Sequence, residues 1–379
     1  MKMNILHINS EYASKVFFRN LLVSLSQKNI GNVNYSLIKN SAQHGSNIGN
    51  IENVDFHYSR ILRKYHRIFY FNKLRYVVND IKQKINLNEI TLLHAYKLFN
   101  DGGIAYKLYE EFNIPYIVTI RETDIMKVLK YLRFLKPYGA KILINAKRIV
   151  LITPSYKYKI KQEYPKIYNQ IKSKIICIPN GVDDFWHQKS NHVKKVFDTG
   201  DVFKVVFTGD FSNKKNIIRL IKATEYINKN SKYSMSLSII GNKGINYKKV
   251  LKKCKNNTRI EFLGRLNFNQ IIEVYKDMHA FAMPSLYETF GLVYIEALLQ
   301  GLPIIYTEGQ GVDGYFDDYN IGLTVNAEDI LDIAEKLIYM IENYDQFRIP
   351  FDYIHKSFNW DYVASKYYNI YKEVTNGLF

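Results

Sequence analysis

The sequence predicts an α/β chain of two doubly wound parallel sheets in series, and three observations carry that prediction. Its 379 residues exceed the roughly 100–200 of one ordinary domain. Short apolar runs alternate almost throughout with longer stretches of helical spacing, the pattern of βα units feeding a parallel sheet. After a turn-rich and then strongly polar segment, the same pattern starts again. A content of 47% hydrophobic and 23% charged residues is that of a chain that buries a core.

In the first half, strands are expected at Ile5–Ile8, Asn34–Ile38, Thr91–His94, Tyr116–Thr119, Arg148–Ile152 and Ile175–Ile178, with helical periodicity over Phe17–Gln27 and Ile104–Phe112. The half closes on Ile178-Pro-Asn-Gly-Val-Asp183, followed by the polar stretch Gln188–Asp201. Strands then resume at Phe203–Thr208, Ser236–Ile240, Arg259–Phe262, Ala280–Met283 and Pro303–Tyr306, with helices near Ile217–Tyr226, Asn269–Asp277 and Gly291–Leu299. Residues 1–187 read as the first domain, 188–201 as the linker, 202–357 as the second domain, and 358–379 as an amphipathic helix crossing back to the first. Ligands of doubly wound sheets bind outside the carboxyl ends of the strands, so the facing edges of the two domains are expected to make the site.

Met1–Ser10 carries only a short apolar run and no cleavage-site pattern, so it reads as a first strand rather than a signal peptide. No run approaches the ~18 apolar residues of a membrane span, which makes a cytoplasmic location the expectation. Cys177 and Cys254 stand far apart, without a CxxC or Cys/His cluster, and support neither a disulfide framework nor a zinc site. With 53 Lys+Arg against 35 Asp+Glu, the formal charge of +18 favours an anionic partner, or else reflects the abundance of Lys, Asn, Ile and Tyr along the whole chain. No nucleic-acid-binding motif accompanies the charge, so no nucleic-acid partner is expected.

The most informative stretch is Pro284-Ser-Leu-Tyr-Glu-Thr-Phe-Gly-Leu-Val-Tyr-Ile-Glu-Ala-Leu-Leu-Gln-Gly-Leu-Pro303. A strand leads into a loop, Gly291 opens a helix and Gly301 ends it. The first amides of a helix are unpaired and carry partial positive charge, so those around Thr289, Phe290, Gly291 and Leu292 form a seat for a phosphate or for sugar hydroxyls. Glu288 precedes that helix and Glu296 lies inside it, at two depths. A carboxylate accepts hydrogen bonds from adjacent hydroxyls, which suits Glu296 to a ribose and Glu288 to a hexose.

This stretch resembles the E-x7-E signature of retaining glycosyltransferase family 4, whose GT-B fold sets two Rossmann-like domains facing across a cleft. Phe207-Thr-Gly-Asp-Phe-Ser-Asn-Lys-Lys-Asn-Ile217 is similar to the family's donor-phosphate loop, Ile178-Pro-Asn-Gly-Val-Asp183 to its interdomain turn, and Phe262-Leu-Gly-Arg-Leu266 to its strand near the base. The resemblance implies donor contacts from Gly209, Lys214, Lys215, Arg265, Glu288, Thr289, Phe290, Gly291, Leu292 and Glu296. Leu93-His-Ala-Tyr, Gly102-Gly103 and Pro115–Asp124 resemble the acceptor side of capsule and exopolysaccharide members, which implies acceptor roles for His94, Gly102, Gly103 and Asp124. His94 ends a predicted strand, where it either faces a ligand or is a hydrogen-bonded wall residue. Two positions depart from the family: Asp210 stands where many members have Arg, and Arg121 where many have His. Arg121 then either replaces a missing cation or pairs with Asp124.

The implied activity is a retaining, metal-independent transfer of a hexose-type sugar from a nucleotide-sugar to a glycan or lipid-linked acceptor in surface polysaccharide assembly, capsule or O-antigen, with Glu288, Lys215, His94 and Arg121 as catalytic candidates. No D-x-D triplet occurs, so neither a metal nor a separate cofactor is expected. Glu122 and Asp124 have that spacing but lie in the first half. The alternative is a catalytically silent nucleotide-sugar-binding subunit. Two basic segments, Ser59–Phe71 with Arg60, Arg63, Lys64 and Arg67, and Lys127–Pro137 with Lys127, Lys130 and Arg133, are expected as helices with one cationic face. They either lie on the anionic cytosolic face of a membrane or are ordinary solvated faces.

Overall fold

The computed structural model describes residues 3–48, 51–121 and 123–376, and the chain divides into two compact units. The first comprises the chain up to Ile152, Tyr156–Gly181 and the chain from Trp360; the second comprises Thr153–Ser155 and Val182–Asn359.

Among the described residues the first unit holds a parallel sheet of β1 (Asn4–Ile8), β2 (Gly31–Leu37), β3 (Val54–Ser59), β4 (Leu92–Ala95), β5 (Tyr116–Ile120), β6 (Arg148–Leu151) and β7 (Ile175–Cys177), in the order β3-β2-β1-β4-β5-β6-β7. The order reverses between β1 and β4, where Ile5 pairs with Leu92 and Ile8 with Ala95. Side chains on the central strands are almost wholly buried on both faces, as a sheet covered by helices on each side requires. Helix Val16–Ser26 buries Phe18, Leu21, Leu22 and Leu25, and the last helix, Trp360–Asn376, buries Trp360, Val363, Ala364, Tyr367 and Tyr371. Both stripes have the i, i+3, i+4, i+7 spacing of one helical face, and they share one apolar cluster. Gly181 permits the approach of that last helix, since a Cβ there would stand 2.6 Å from the Trp360 ring.

The second unit repeats the plan with β8 (Val202–Thr208), β9 (Ser234–Ile240), β10 (Ile260–Gly264), β11 (Ala280–Ala282), β12 (Ile304–Thr307) and β13 (Gly322–Val325), in the order β10-β9-β8-β11-β12-β13. The reversal lies between β8 and β11, where Val205 pairs with Ala280. Residues 188–201 run along this unit: the Asn191 amide donates to the Leu299 carbonyl at 2.8 Å, and Gln300 Nε2 to the Lys189 carbonyl at 3.0 Å.

The two doubly wound sheets agree with the expected fold, and the differences are local. β3 and β13 were not anticipated; both are outermost strands of partly exposed residues, which exist through pairing with β2 and β12 rather than through an apolar run. The expected basic helix over Ser59–Phe71 does not form. Ser59 closes β3, Arg63 is extended, Lys64–Arg67 makes one tight turn, and the helix begins only at Tyr70. The Arg63 amide donating to His66 Nδ1 at 2.9 Å sets that turn. Lys127–Pro137 is likewise broken into short turns ahead of helix Lys136–Asn145. The side chains of Arg67 and Lys127, and the whole of Glu122, lie outside the described residues.

Candidate functional site

In the second unit the loop after β8 is stitched to the loop after β11, and this brings the Lys-bearing and Glu-bearing segments together. Asn216 adopts a left-handed conformation (φ 58°) at the start of helix Ile217–Asn230, and its Nδ2 donates to the Pro284 carbonyl at 2.9 Å and the Ala327 carbonyl at 2.7 Å. The Leu286 amide donates to the Lys214 carbonyl at 2.7 Å. Lys215 Nζ then stands 2.6 Å from Glu288 Oε2, both side chains being largely buried.

Glu288 is held from several directions. Its amide donates to Gln310 Oε1 at 2.8 Å, while Gln310 Nε2 donates to the Leu286 carbonyl at 3.0 Å, so one side chain ties the β12–β13 loop to the β11 loop. The Thr289 amide donates to Glu288 Oε1 at 2.9 Å. Gly291 (φ 79°) precedes helix Leu292–Leu299, and a Cβ there would lie 2.4 Å from the Tyr294 ring and 3.1 Å from Glu288 Cγ. Gly311 (φ 62°) crowds the same Cγ at 3.3 Å. Both positions have a backbone that favours glycine, and at Gly291 a side chain would also clash outright with the Tyr294 ring.

About one turn into that helix, Glu296 is partly buried, and among the described residues its carboxylate has no hydrogen-bonding or ion-pair partner. Desolvation, then the nearby charge of Asp183, pushes its pKa up to about 7. Gly209 is half-buried at the end of β8, with its amide donating to the Ile240 carbonyl at 3.0 Å; Arg265 is exposed beyond β10, just after Gly264 (φ 76°). Asp210 closes its own turn by accepting the Ser212 amide at 2.8 Å.

The first unit concentrates charge behind the carboxyl ends of β1, β4 and β5. Lys97 Nζ stands 2.6 Å from Glu11 Oε1. Asp124 accepts the Leu98 and Arg121 amides at 3.0 and 3.1 Å on one oxygen and the Phe99 amide at 3.4 Å on the other. Fully buried Asp101 accepts the Ser10 amide at 3.2 Å, and burial pushes its pKa up to about 7 against the pull of Lys97. The Arg121 guanidinium lies 4.6 Å from the Phe18 ring centroid and 5.1 Å from that of Phe17.

Residues 188–351, most of the second unit, match the family described as Glycosyl transferases group 1. That segment is therefore similar to group 1 glycosyltransferases. The chain is 26% identical over 317 residues to an uncharacterized glycosyltransferase of Methanocaldococcus jannaschii, covering 81% of this chain and 83% of that protein. Among solved structures it is similar to a lipopolysaccharide outer core galactosyltransferase in its apo form (TM-score 0.72, 15% identity, 98% of this chain and 100% of that one) and to the Anabaena protein HepE in complex with UDP and glucose (TM-score 0.67, 13% identity, 98% and 100%). The fold is GT-B, and the findings together support a group 1 glycosyltransferase.

Within the matched segment, Lys215, Glu288, Thr289, Gly291 and Gln310 are contiguous, with Glu296 deeper on the same helix and Phe290 contributing only backbone, its ring being packed against Tyr315 and Phe358. In the first unit the expectations change. His94 is fully buried; its Nδ1 lies 2.7 Å from the Tyr371 hydroxyl and its Nε2 3.0 Å from Thr119 Oγ1, and it stacks on Tyr96 at 3.9 Å, so it is a wall residue with no face left for substrate. Burial holds its pKa well below the ordinary histidine value. Gly102 and Gly103 are buried in helix Asn100–Phe112, where Cβ atoms would lie 3.1 Å from the Lys97 carbonyl and 2.5 Å from the Tyr70 hydroxyl; they serve packing. Asp124 is committed to backbone amides, not to the Arg121 side chain. Gln310 and Asn216 escaped sequence reading, although the glycine cluster Gly309-Gln-Gly-Val-Asp-Gly314 signals the loop that carries Gln310.

Proposed function

We propose that this chain is a retaining glycosyltransferase that moves a hexose-type sugar from a nucleoside diphosphate donor to a glycan or lipid-linked acceptor in surface polysaccharide assembly, without a metal ion. The observation that carries the reading is the Lys215–Glu288 pair at the start of a helix whose next turn bears the unpaired Glu296. A diphosphate leaving the anomeric carbon takes the electron pair of the C1–O bond and builds negative charge, while the sugar becomes electron-poor. Lys215 and the first helical amides answer the first charge, and Glu288, released from the ion pair as the phosphate claims Lys215, accepts hydroxyls of the sugar. Glu296 accepts the ribose hydroxyls. The acceptor oxygen forms the new C1–O bond on the face the phosphate leaves, and its proton passes to that phosphate, which retains configuration. The Asp124 carboxylate of the first unit is engaged by three amides, which supports a route without a covalent carboxylate nucleophile. The fold's likeness to a structure that carries UDP and glucose supports a nucleotide-sugar donor. A thermal-shift screen of UDP-, GDP- and ADP-sugars tests the reading, since a ligand bound by the native state alone raises the melting temperature with concentration; no response to any of them would count against it.

One observation favours the silent-subunit alternative: Asp210 spends its carboxylate on its own turn, so Lys215 has no arginine beside it from that position. Release of free nucleoside diphosphate in the presence of acceptor separates the two.

Association with an anionic membrane is supported by a different feature from the expected helix. Ile68, Phe69, Phe71, Tyr131 and Phe134 are all more than half exposed, Phe71 packs edge-on against Tyr138 at 5.1 Å, and Lys64, Lys130 and Arg133 flank them. Exposed apolar side chains beside cations suit the interface of an acidic bilayer. Co-sedimentation with anionic vesicles is expected to fall at high salt and in the double variant Ile68→Ser, Phe134→Ser; equal binding to neutral vesicles would refute it.

A further inference from the structure

Among the described residues of the first unit, the Arg121 side chain is a buried cation left without an ion pair. The residue is only 5% exposed, its Nε is buried without a hydrogen-bond partner, and among the described residues no carboxylate forms an ion pair with the guanidinium. The neighbouring acids are spoken for, Glu11 by Lys97 and Asp124 by three amides. The Phe17 and Phe18 rings face the charge but accept nothing from the N–H fork. Two more buried polar atoms are unpartnered in the same group of loops, Asp101 Oδ2 and Ser10 Oγ. Ser10 follows β1, Asp101 follows β4 and Arg121 follows β5, so all three stand behind the carboxyl ends of the strands around the reversal of strand order, where doubly wound sheets take their ligands.

A buried guanidinium with unmet donors is costly to keep, and its planar fork matches the two oxygens of a carboxylate or a phosphate. A packing role would need neither the charge nor five donors. We infer that Arg121 anchors an oxyanion site in the first unit that takes a carboxylate or phosphate carried by a sugar substrate. This deepens the glycosyltransferase reading and rests on it for the sugar; the site itself does not depend on that reading.

The test is thermal melting of the full chain with inorganic phosphate, D-glucuronate or D-glucose, ionic strength being matched with sodium chloride. Wild type is expected to gain about 3 °C at tenfold excess over half-saturation with at least one oxyanion and nothing with glucose. A response to phosphate alone assigns a phosphate, and to glucuronate alone a carboxylate. Arg121→Met should abolish the rise. Should that variant fail to fold, Arg121→Lys keeps the charge and loses the fork, and at least tenfold weaker half-saturation is expected. Phosphate can also reach Lys215, so the titrations are repeated in Lys215→Ala, where the oxyanion response must persist. The proposal is overturned if wild type responds no more to either oxyanion than to glucose, if an Arg121 variant responds as wild type does, or if the response vanishes in Lys215→Ala. A failed nucleotide-sugar screen would count against the glycosyltransferase reading and leave these titrations readable.

Discussion

The two units share a plan but treat charge at the carboxyl ends of their strands in opposite ways. In the second, Lys215 and Glu288 form one partly buried pair, and Glu296 keeps an unpaired carboxylate that still reaches solvent. In the first, Arg121, Asp101 and Asp124 are each at least 95% buried and are answered by backbone amides or rings, or not at all. The difference teaches that a shared topology supplies the place for a site and not its chemistry. The charged groups of the second unit still reach solvent, whereas those of the first are enclosed.

The largest effect expected from this contrast is on turnover. On the proposed reading, in which Lys215 is the main cation for the leaving phosphate, Lys215→Ala should lower kcat by ~100–1,000-fold, measured as release of nucleoside diphosphate. A loss below tenfold would shift the burden to other groups. Next, Glu296→Ala should weaken binding of the free nucleoside diphosphate by ~10–100-fold in calorimetric titration, the cost of removing a charged hydrogen-bond acceptor; unchanged affinity would remove Glu296 from the nucleoside site. Gly291→Ala combines a left-handed backbone with a clash against the Tyr294 ring and should cost about 2–4 kcal/mol in denaturant unfolding, with donor affinity falling alongside.

How much of this was legible in the chain depended on how local the determinants are. The Lys215 and Glu288 segments could be read because each is a short loop with its own turn residues. Their joining by Asn216 and Gln310 could not, since those bonds span about seventy and twenty residues and have no period. Arg121 was legible as a departure from a family pattern, but Phe17 and Phe18 lie a hundred residues earlier and leave no trace near it. His94 sat correctly at a strand end, yet its partner Tyr371 comes from the last helix, and that contact makes it a wall residue. The basic segment misled for the reverse reason: Arg60, Arg63, Lys64 and Arg67 have helical spacing, but the strand β3 runs up to Ser59 and the Arg63 amide's bond to His66 holds Lys64–Arg67 to a single tight turn.

The smallest predicted effect compares one acid from each unit by pH. Glu296 and Asp101 have ordinary values of 4.5 and 3.8, and burial raises both to about 7. Between those limits the unfolded carboxyl is ionised while the folded one keeps its proton, so the native state binds more protons and stability falls as pH rises towards 7. Glu296→Gln and Asp101→Asn should each flatten part of that decline in urea unfolding between pH 4.5 and 8. The Asp101 variant should do more, because its carboxyl is wholly enclosed. Equal slopes in wild type and both variants would show that neither acid is raised.

The most direct test of the central claim, that the Lys215–Glu288 pair is the transfer machinery of a retaining enzyme, is real-time NMR of the anomeric proton during turnover of the donor identified by the thermal screen. The account predicts a product with the donor's configuration in wild type, and no product from Glu288→Gln at donor concentrations that saturate it. An inverted anomer, or wild-type turnover by Glu288→Gln, would contradict it.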